Sequence, residues 1–268
     1  MNLLDNFTWV IWPYLAMASF VVGHAFRYRY DQFGWTSESS ELLEKRSLKW
    51  GSVLFHVGII FVFFGHVMGI LIPIQFYHAI GFKDPWYEIL SLWAGTAAGA
   101  TALIGILIIN MRRWLVKKVR RTTKSNIKFF IDFLLLVVIA IGLVVTLGYR
   151  IWVGLLNMPG SSFFGSPTFD YRTSIGPWAR SLFSFAPDPN LMSPVPVIFK
   201  IHIILAFLLF ALWPYSHLVH VWSAPIGYLR RRRIQYRSRN PEVAMAQARR
   251  RPGETTSKLH AADRQELE

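Results

Sequence analysis

Five apolar stretches constrain this chain more than any other feature: roughly Trp9–Phe26, Gly51–Ile72, Ile89–Asn110, Phe129–Gly148 and Val197–Val221. Each approaches or exceeds the ~20 residues a helix needs to cross a hydrocarbon core. No water reaches that core to satisfy backbone N–H and C=O groups, so only helices or closed barrels can span it. The stretches are continuously apolar and do not alternate, which selects helices. The expectation is an all-α integral membrane protein built as a five-transmembrane-helix bundle. The first stretch begins too near Met1 for a basic leader region, and no small-residue cleavage pattern follows it. It therefore reads as a retained span.

The formal net charge of +14 invites a nucleic-acid reading, but the placement of the charge argues for membrane orientation. Of the 29 Lys and Arg residues, 24 fall in alternate connections: 27–50, 112–128 and the tail after Val221, which includes Arg230–Arg233. Only Lys83, Arg150, Arg172, Arg180 and Lys200 lie on the opposite side. The positive-inside rule then puts the N-terminus outside and the C-terminus in the cytoplasm of a multi-pass cell-membrane protein. Anionic lipid accounts for the basic tail, and no nucleic-acid partner is expected. Residues 1–236 read as the five-span domain and 237–268 as a polar, mobile cytoplasmic extension. The long Gly-, Pro- and Phe-rich connection from about Arg150 to Pro196 reads as a folded cap over the bundle.

Cysteine is absent. A thiolate-held iron–sulfur cluster and a covalently attached haem are therefore excluded within this chain, so any redox centre must hang on histidine or methionine.

Four histidines interrupt the apolar stretches: His56 and His66 in the second, His202 and His220 in the fifth. Imidazole in hydrocarbon is costly unless its nitrogens find partners. The second and fifth spans run in opposite directions, so His66 shares a depth with His202 outside, and His56 with His220 inside. A lone membrane histidine reads as a polar contact between helices, whereas two depth-matched pairs read as axial ligands of two non-covalent b-type haems. Axial spacing is the difficulty. A continuous helix separates His202 from His220 by roughly 27 Å but His56 from His66 by only about 15 Å. His217 would shorten the mismatch and stands as an alternative inner ligand. Gly58, Gly65 and Gly69 suit either a flat macrocycle or close helix packing. His24, His78 and His260 lack paired partners and read as interfacial or exposed. The haem propionates would need cationic partners, with Arg112 and Arg113 as inner candidates and Arg180 as an outer one; anchoring at lipid headgroups is the competing role.

The chain resembles the gamma subunit of membrane-bound respiratory nitrate reductases, a di-haem cytochrome b. The resemblance rests on Arg27-Tyr28-Arg29-Tyr30-Asp31-Gln32-Phe33-Gly34-Trp35, Leu54-Phe55-His56-Val57-Gly58 with Gly65-His66, and His202 followed by the run Trp213–Pro225 that contains His217 and His220. It implies His66 and His202 as ligands of an outer haem, and His56 and His220, not His217, as ligands of an inner one. It also implies quinol oxidation beside the outer haem, at a pocket that Gly65 and His66 line. Electrons would pass inward to an iron–sulfur beta subunit and a molybdenum-containing alpha subunit that reduces nitrate. Family members can carry a quinol-binding lysine after the second span. Ungapped counting from His66 puts Trp86 at its place, with Lys83 three residues earlier, so Lys83 becomes the candidate and Trp86 a stacking or interface residue. The competing readings are a cytochrome b of a sulfite- or heterodisulfide-reductase-like complex, and a transporter or scaffold with structural histidines. Asp132 is the lone carboxylate near a span.

Overall fold

The computed structural model describes residues 3–35, 40, 42–122, 126–149, 162–165 and 169–223. The tail, His260, Arg150 and the boundary expected near 236 lie outside the described residues. The described chain is helical, and five helices are long and apolar enough to cross a membrane: Leu3–Tyr30, Arg46–Leu71, Asp84–Leu115, Ile127–Gly148 and Val197–Tyr215. We refer to them as spans 1 to 5.

Three of the five spans extend well beyond their apolar stretches because amphipathic turns continue the helix at the ends, as in Asp84–Ile89 before and Met111–Leu115 after the third stretch. Span 1 contains a π-helical turn over Phe7–Ile11 immediately before Pro13, where a wider turn accommodates the proline ring and its missing donor. Span 2 ends in a second π-helical turn, Val67–Leu71, directly after His66. Two carbonyls of that turn receive side-chain donors: Tyr77 Oη donates to Met68 O at 2.7 Å and Arg180 Nη1 to Ile70 O at 2.7 Å.

Spans 2 and 3 approach until backbone meets backbone. A Cβ added to Gly58 would lie 2.3 Å from Ala102 N, and one added to Gly105 would lie 2.2 Å from Phe55 N. Small residues at such crossings let dispersion and weak polar contacts replace the hydrophobic drive that lipid cannot supply. Gly58 therefore serves helix packing and not a macrocycle.

The spans neighbour one another in the order 1–5–4–3–2. Spans 3, 4 and 5 share a core of Ala102, Ile106, Ile131, Leu134, Leu135, Val138, Ile139 and Leu209. Span 2 packs extensively on span 3 alone, so the bundle is an arc whose open side lies between spans 2 and 5. A second core forms where the expected cap packs on span 1. Trp178, on the helix Ile175–Phe183, meets Trp9 edge-on at 5.8 Å and donates its indole N–H to Trp9 O at 3.0 Å. Arg172 ties the same cap to the head of span 3, pairing with Asp84 at 2.8 Å and Asp170 at 2.8 Å.

At the opposite end, Arg112 turns away from lipid. Its side chain is buried and donates to Glu44 Oε2 at 2.7 Å, Ser40 Oγ at 2.9 Å and the Ser40 and Glu44 carbonyls. The Glu44 carboxyl sits below its ordinary range, chiefly because the Ser47 N–H donates to it, with Arg112 adding to the effect. A depressed carboxylate stabilises the fold above its unfolded pKa and loses that contribution as pH falls through the folded one.

Replacing Gly58 with Leu should force spans 2 and 3 apart and lower the thermal midpoint of the detergent-purified protein, at a cost of about 1–3 kcal/mol or more. Gly65→Leu, where an added Cβ meets nothing within 4 Å, should leave the midpoint near wild type in the same assay.

Candidate functional site

The four span histidines line the open side of the arc and meet in two pairs. His66 and His202 have ring centres 6.2 Å apart with planes at 22°, and His56 and His220 have ring centres 6.0 Å apart at 71°. Depth-matching from topology predicts these same pairs.

Spacing along the chain, however, is resolved in a way the sequence reading does not anticipate. The helix of span 5 stops at Leu212, and a 3-10 turn follows over Trp213–Tyr215. Ser216 is extended at φ −117° and ψ 176°, and a second 3-10 segment, His217–Ser223, carries His220. The expectation of one continuous helix to Val221, carrying both His202 and His220, is thus corrected. The α-helix ends ten residues after His202, about 15 Å along the axis and close to the His56–His66 rise, before the chain passes into 3-10 and extended backbone. The corner removes the apparent mismatch of about 12 Å. Pro214 removes a donor the helix would need, and Arg27 from span 1 takes up carbonyls at the turn. Its Nη1 donates to Pro214 O at 2.9 Å and Ser216 O at 3.0 Å, while Nη2 donates to Gly34 O at 2.8 Å. Gly23 gives Pro214 room, since a Cβ there would lie 2.7 Å from the proline ring.

Hydrogen bonding assigns the nitrogens. Nδ1 of His56 faces Ser52 O at 2.7 Å, Nδ1 of His66 faces Val62 O at 2.8 Å, and Nδ1 of His220 faces His217 O at 2.6 Å. A carbonyl only accepts, so each Nδ1 carries the proton and Nε2 keeps the lone pair that binds a metal. His202 is held differently. Its Nδ1 is buried without a hydrogen-bond partner, and its ring lies by the Val138 backbone of span 4. Gly142, one turn further on, leaves space for the ring, because a Cβ there would lie 3.0 Å from His202 Cε1.

Among the described residues, the other histidines spend Nε2 elsewhere. His24 accepts from Trp222 Nε1 at 3.1 Å, His78 contacts Asp84 at 3.2 Å, and His217 contacts Asp132 Oδ1 at 3.2 Å. As expected, neither His24 nor His78 meets a second histidine, and His78 is exposed; their partners are an indole and a carboxylate.

These residues fit a haem iron. Metal–imidazole bonds of about 2 Å, plus roughly 1 Å from each nitrogen to its ring centre, would set two imidazoles sharing one iron about 6 Å apart. Each pair supplies two donors, as many as haem iron takes from a protein when the porphyrin supplies the rest. Gly65 precedes His66, with open space where a Cβ would point. Gly69 faces instead the hydroxyls of Tyr87 and Tyr171, which lie 3.1 Å from each other.

Residues 5–239 match the family model described as nitrate reductase gamma subunit. The chain belongs to the nitrate reductase gamma subunit family. It is 43% identical over 232 residues to the nitrate reductase gamma chain of Bacillus subtilis, covering 87% of this chain and 97% of that one. It is 33% identical over 246 residues to the respiratory nitrate reductase 1 gamma chain of Escherichia coli, covering 90% and 100% respectively. It is also 36% identical over 250 residues to the nitrate reductase-like protein NarX of Mycobacterium tuberculosis; that match takes in 93% of this chain but 36% of NarX.

The remaining candidates in this gamma-family chain are spread over both ends. Lys83 and Trp86 are exposed at the head of span 3, where Trp86 lines a shallow surface hollow of about 350 Å³ with Phe82, Ile89, Leu90 and Trp93. Tyr87, not Trp86, turns toward span 2. Arg180 is engaged with Ile70 O, and Arg113 with Asp132. The sequence reading misses Arg27, Val138, Gly142 and Ser52. A helical i−4 carbonyl below each span-2 histidine was legible in principle, but the contacts of Arg27 and Gly142 cross between elements and have no local signature.

Arg27→Ala strips the charged donor from two carbonyls of the corner. The thermal midpoint of the purified protein should fall, by an amount equivalent to about 1.5–3 kcal/mol, in differential scanning fluorimetry.

Proposed function

We propose that this chain is the di-haem cytochrome b subunit of a quinol-oxidising nitrate reductase complex in the cell membrane. Its N-terminus is outside and its C-terminus cytoplasmic. The observation that carries the reading is the meeting of four imidazoles in two pairs, about 6 Å between ring centres, on the open side of a bundle of this family. His66 and His202 would hold one haem near the outer face, and His56 and His220 the other near the cytoplasm. When bound, such haems supply one-electron carriers, and ligation by two imidazoles leaves no open iron position for oxygen chemistry.

The chain's own residues do the rest. The carbonyls of Ser52, Val62 and His217 hold three imidazoles in the tautomer that offers Nε2. The small side at Gly65 leaves room for a flat quinol ring beside His66, with Lys83 and Trp86 proposed as further residues of that mouth. Quinol gives up two protons with two electrons. Oxidation at the outer end releases the protons outward while the electrons travel inward, which separates charge across the membrane. The basic connections would face an iron–sulfur beta subunit and a molybdenum-containing alpha subunit, where nitrate is reduced. Arg112, Arg113 and Arg180 are also proposed near the propionates. Arg180, one of whose nitrogens donates to Ile70 O, is the freest of the three for that role, since Arg112 is occupied by Ser40 and Glu44 and Arg113 by Asp132.

A reduced-minus-oxidised spectrum of membranes containing the complex should display b-type haem. His66→Ala and His202→Ala should abolish the same potentiometric component, and His56→Ala and His220→Ala the other. Loss in any other grouping refutes the ligand assignment, and no b-type absorbance in the wild type refutes the function. Quinol-dependent haem reduction should slow by roughly tenfold or more in Gly65→Leu, as blocking a binding mouth costs at least ~1.4 kcal/mol. Unchanged kinetics would move the quinol site elsewhere.

A further inference from the structure

Arg113, Asp132 and His217 form a buried polar trio, an ion pair with an imidazole beside it, at the His56/His220 end that the electron-transfer reading does not use. Asp132 is 3% exposed at its side chain, His217 16% and Arg113 19%. The Arg113 guanidinium pairs with one carboxylate oxygen of Asp132, and His217 Nε2 contacts the other at 3.2 Å. Asn110 Nδ2 donates to the Asp132 main-chain oxygen at 3.4 Å, completing the anchor on spans 3 and 4. Buried ion pairs of this kind are poor contributors to stability, because apolar residues of equal volume pack as well or better. Their presence is better explained by what they orient.

His217 is the residue oriented. It lies at the start of the 3-10 segment beyond the corner, and its ring stacks on that of His220 at 6.2 Å with planes 2° apart. Its main-chain oxygen accepts the Nδ1–H of His220 at 2.6 Å. The side chain that Asp132 grips and the carbonyl that His220 uses thus belong to one residue. Among the four histidines of the two pairs, only His220 takes this bond within a short 3-10 segment, from the carbonyl three residues back, and not within an α-helix.

We propose that Asp132, acting through His217, is a positioning residue that sets the orientation and donor strength of the His220 imidazole. A firm Nδ1–H···O=C bond makes Nε2 a stronger donor and favours oxidised iron, as hydrogen bonds to the outer nitrogen of ligating imidazoles do generally. Asp132 thereby lowers the reduction potential of the haem at this end and leaves the other alone. The inference rests on the haem reading given above.

The test uses the assembled complex in membranes, with redox titration and low-temperature EPR of the ferric haems. His217→Leu keeps the backbone carbonyl but removes the grip of Asp132. The potential of the His56/His220 component should rise and its low-field EPR feature should shift, or that component alone should be lost. The His66/His202 component should be unmoved. His217→Gln, whose amide can donate to Asp132, should return both readouts toward wild type. Wild-type potentials and EPR features in His217→Leu would overturn the proposal, as would equal shifts or joint loss of both components. A rise that His217→Gln does not reverse would also overturn it. Absence of haem from the wild-type complex would instead overturn the functional reading beneath it.

Discussion

An imidazole placed in hydrocarbon must have both ring nitrogens accounted for, and the architecture of this protein follows from how that is done. In span 2 the helix supplies one answer unaided, since the carbonyl four residues back accepts Nδ1–H of His56 and of His66. The second nitrogen is left with a lone pair and needs a partner from elsewhere. The arc of spans, open between the second and the fifth, brings a second imidazole to each. The rings of each pair stand about 6 Å apart between centres, a gap that an interposed iron would also give.

Spans 2 and 5 reach this arrangement by unlike routes. Span 2 is continuous between its histidines, held in register by the glycine crossing with span 3. Span 5 holds His202 within the helix against Val138 and Gly142, then abandons helical geometry before His220. Breaking a helix frees carbonyls, which is costly away from water. Arg27 meets that cost for Pro214 and Ser216, while Asp132, paired with Arg113, contacts the His217 ring on the far side of the corner.

Much of the site was readable in advance, and the reasons for success and failure are physical. Depth depends on the direction of each span and on counting residues, both available from sequence, so His66 with His202 and His56 with His220 emerge as pairs. The apparent axial mismatch arises from carrying the 1.5 Å helical rise through Pro214. The dihedral break at Ser216 is visible only once the chain is folded. Gly58, offered beforehand as room for a macrocycle or for a helix, is decided by Ala102, a residue 44 positions away whose approach no local pattern encodes.

By itself, then, the sequence determined that the chain is a bundle of five apolar helices with histidines at two depths. Hydrophobicity and periodicity are local properties that water and lipid read segment by segment. Tertiary structure alone decided which histidine nitrogen is free. His217 and His220 are three residues apart, alike in chemistry and stacked in parallel. Asp132 reaches across from span 4 to occupy Nε2 of the first, while the ring of the second lies 6.0 Å from that of His56. That choice is made by contacts between distant segments, and it exists only when the segments are packed.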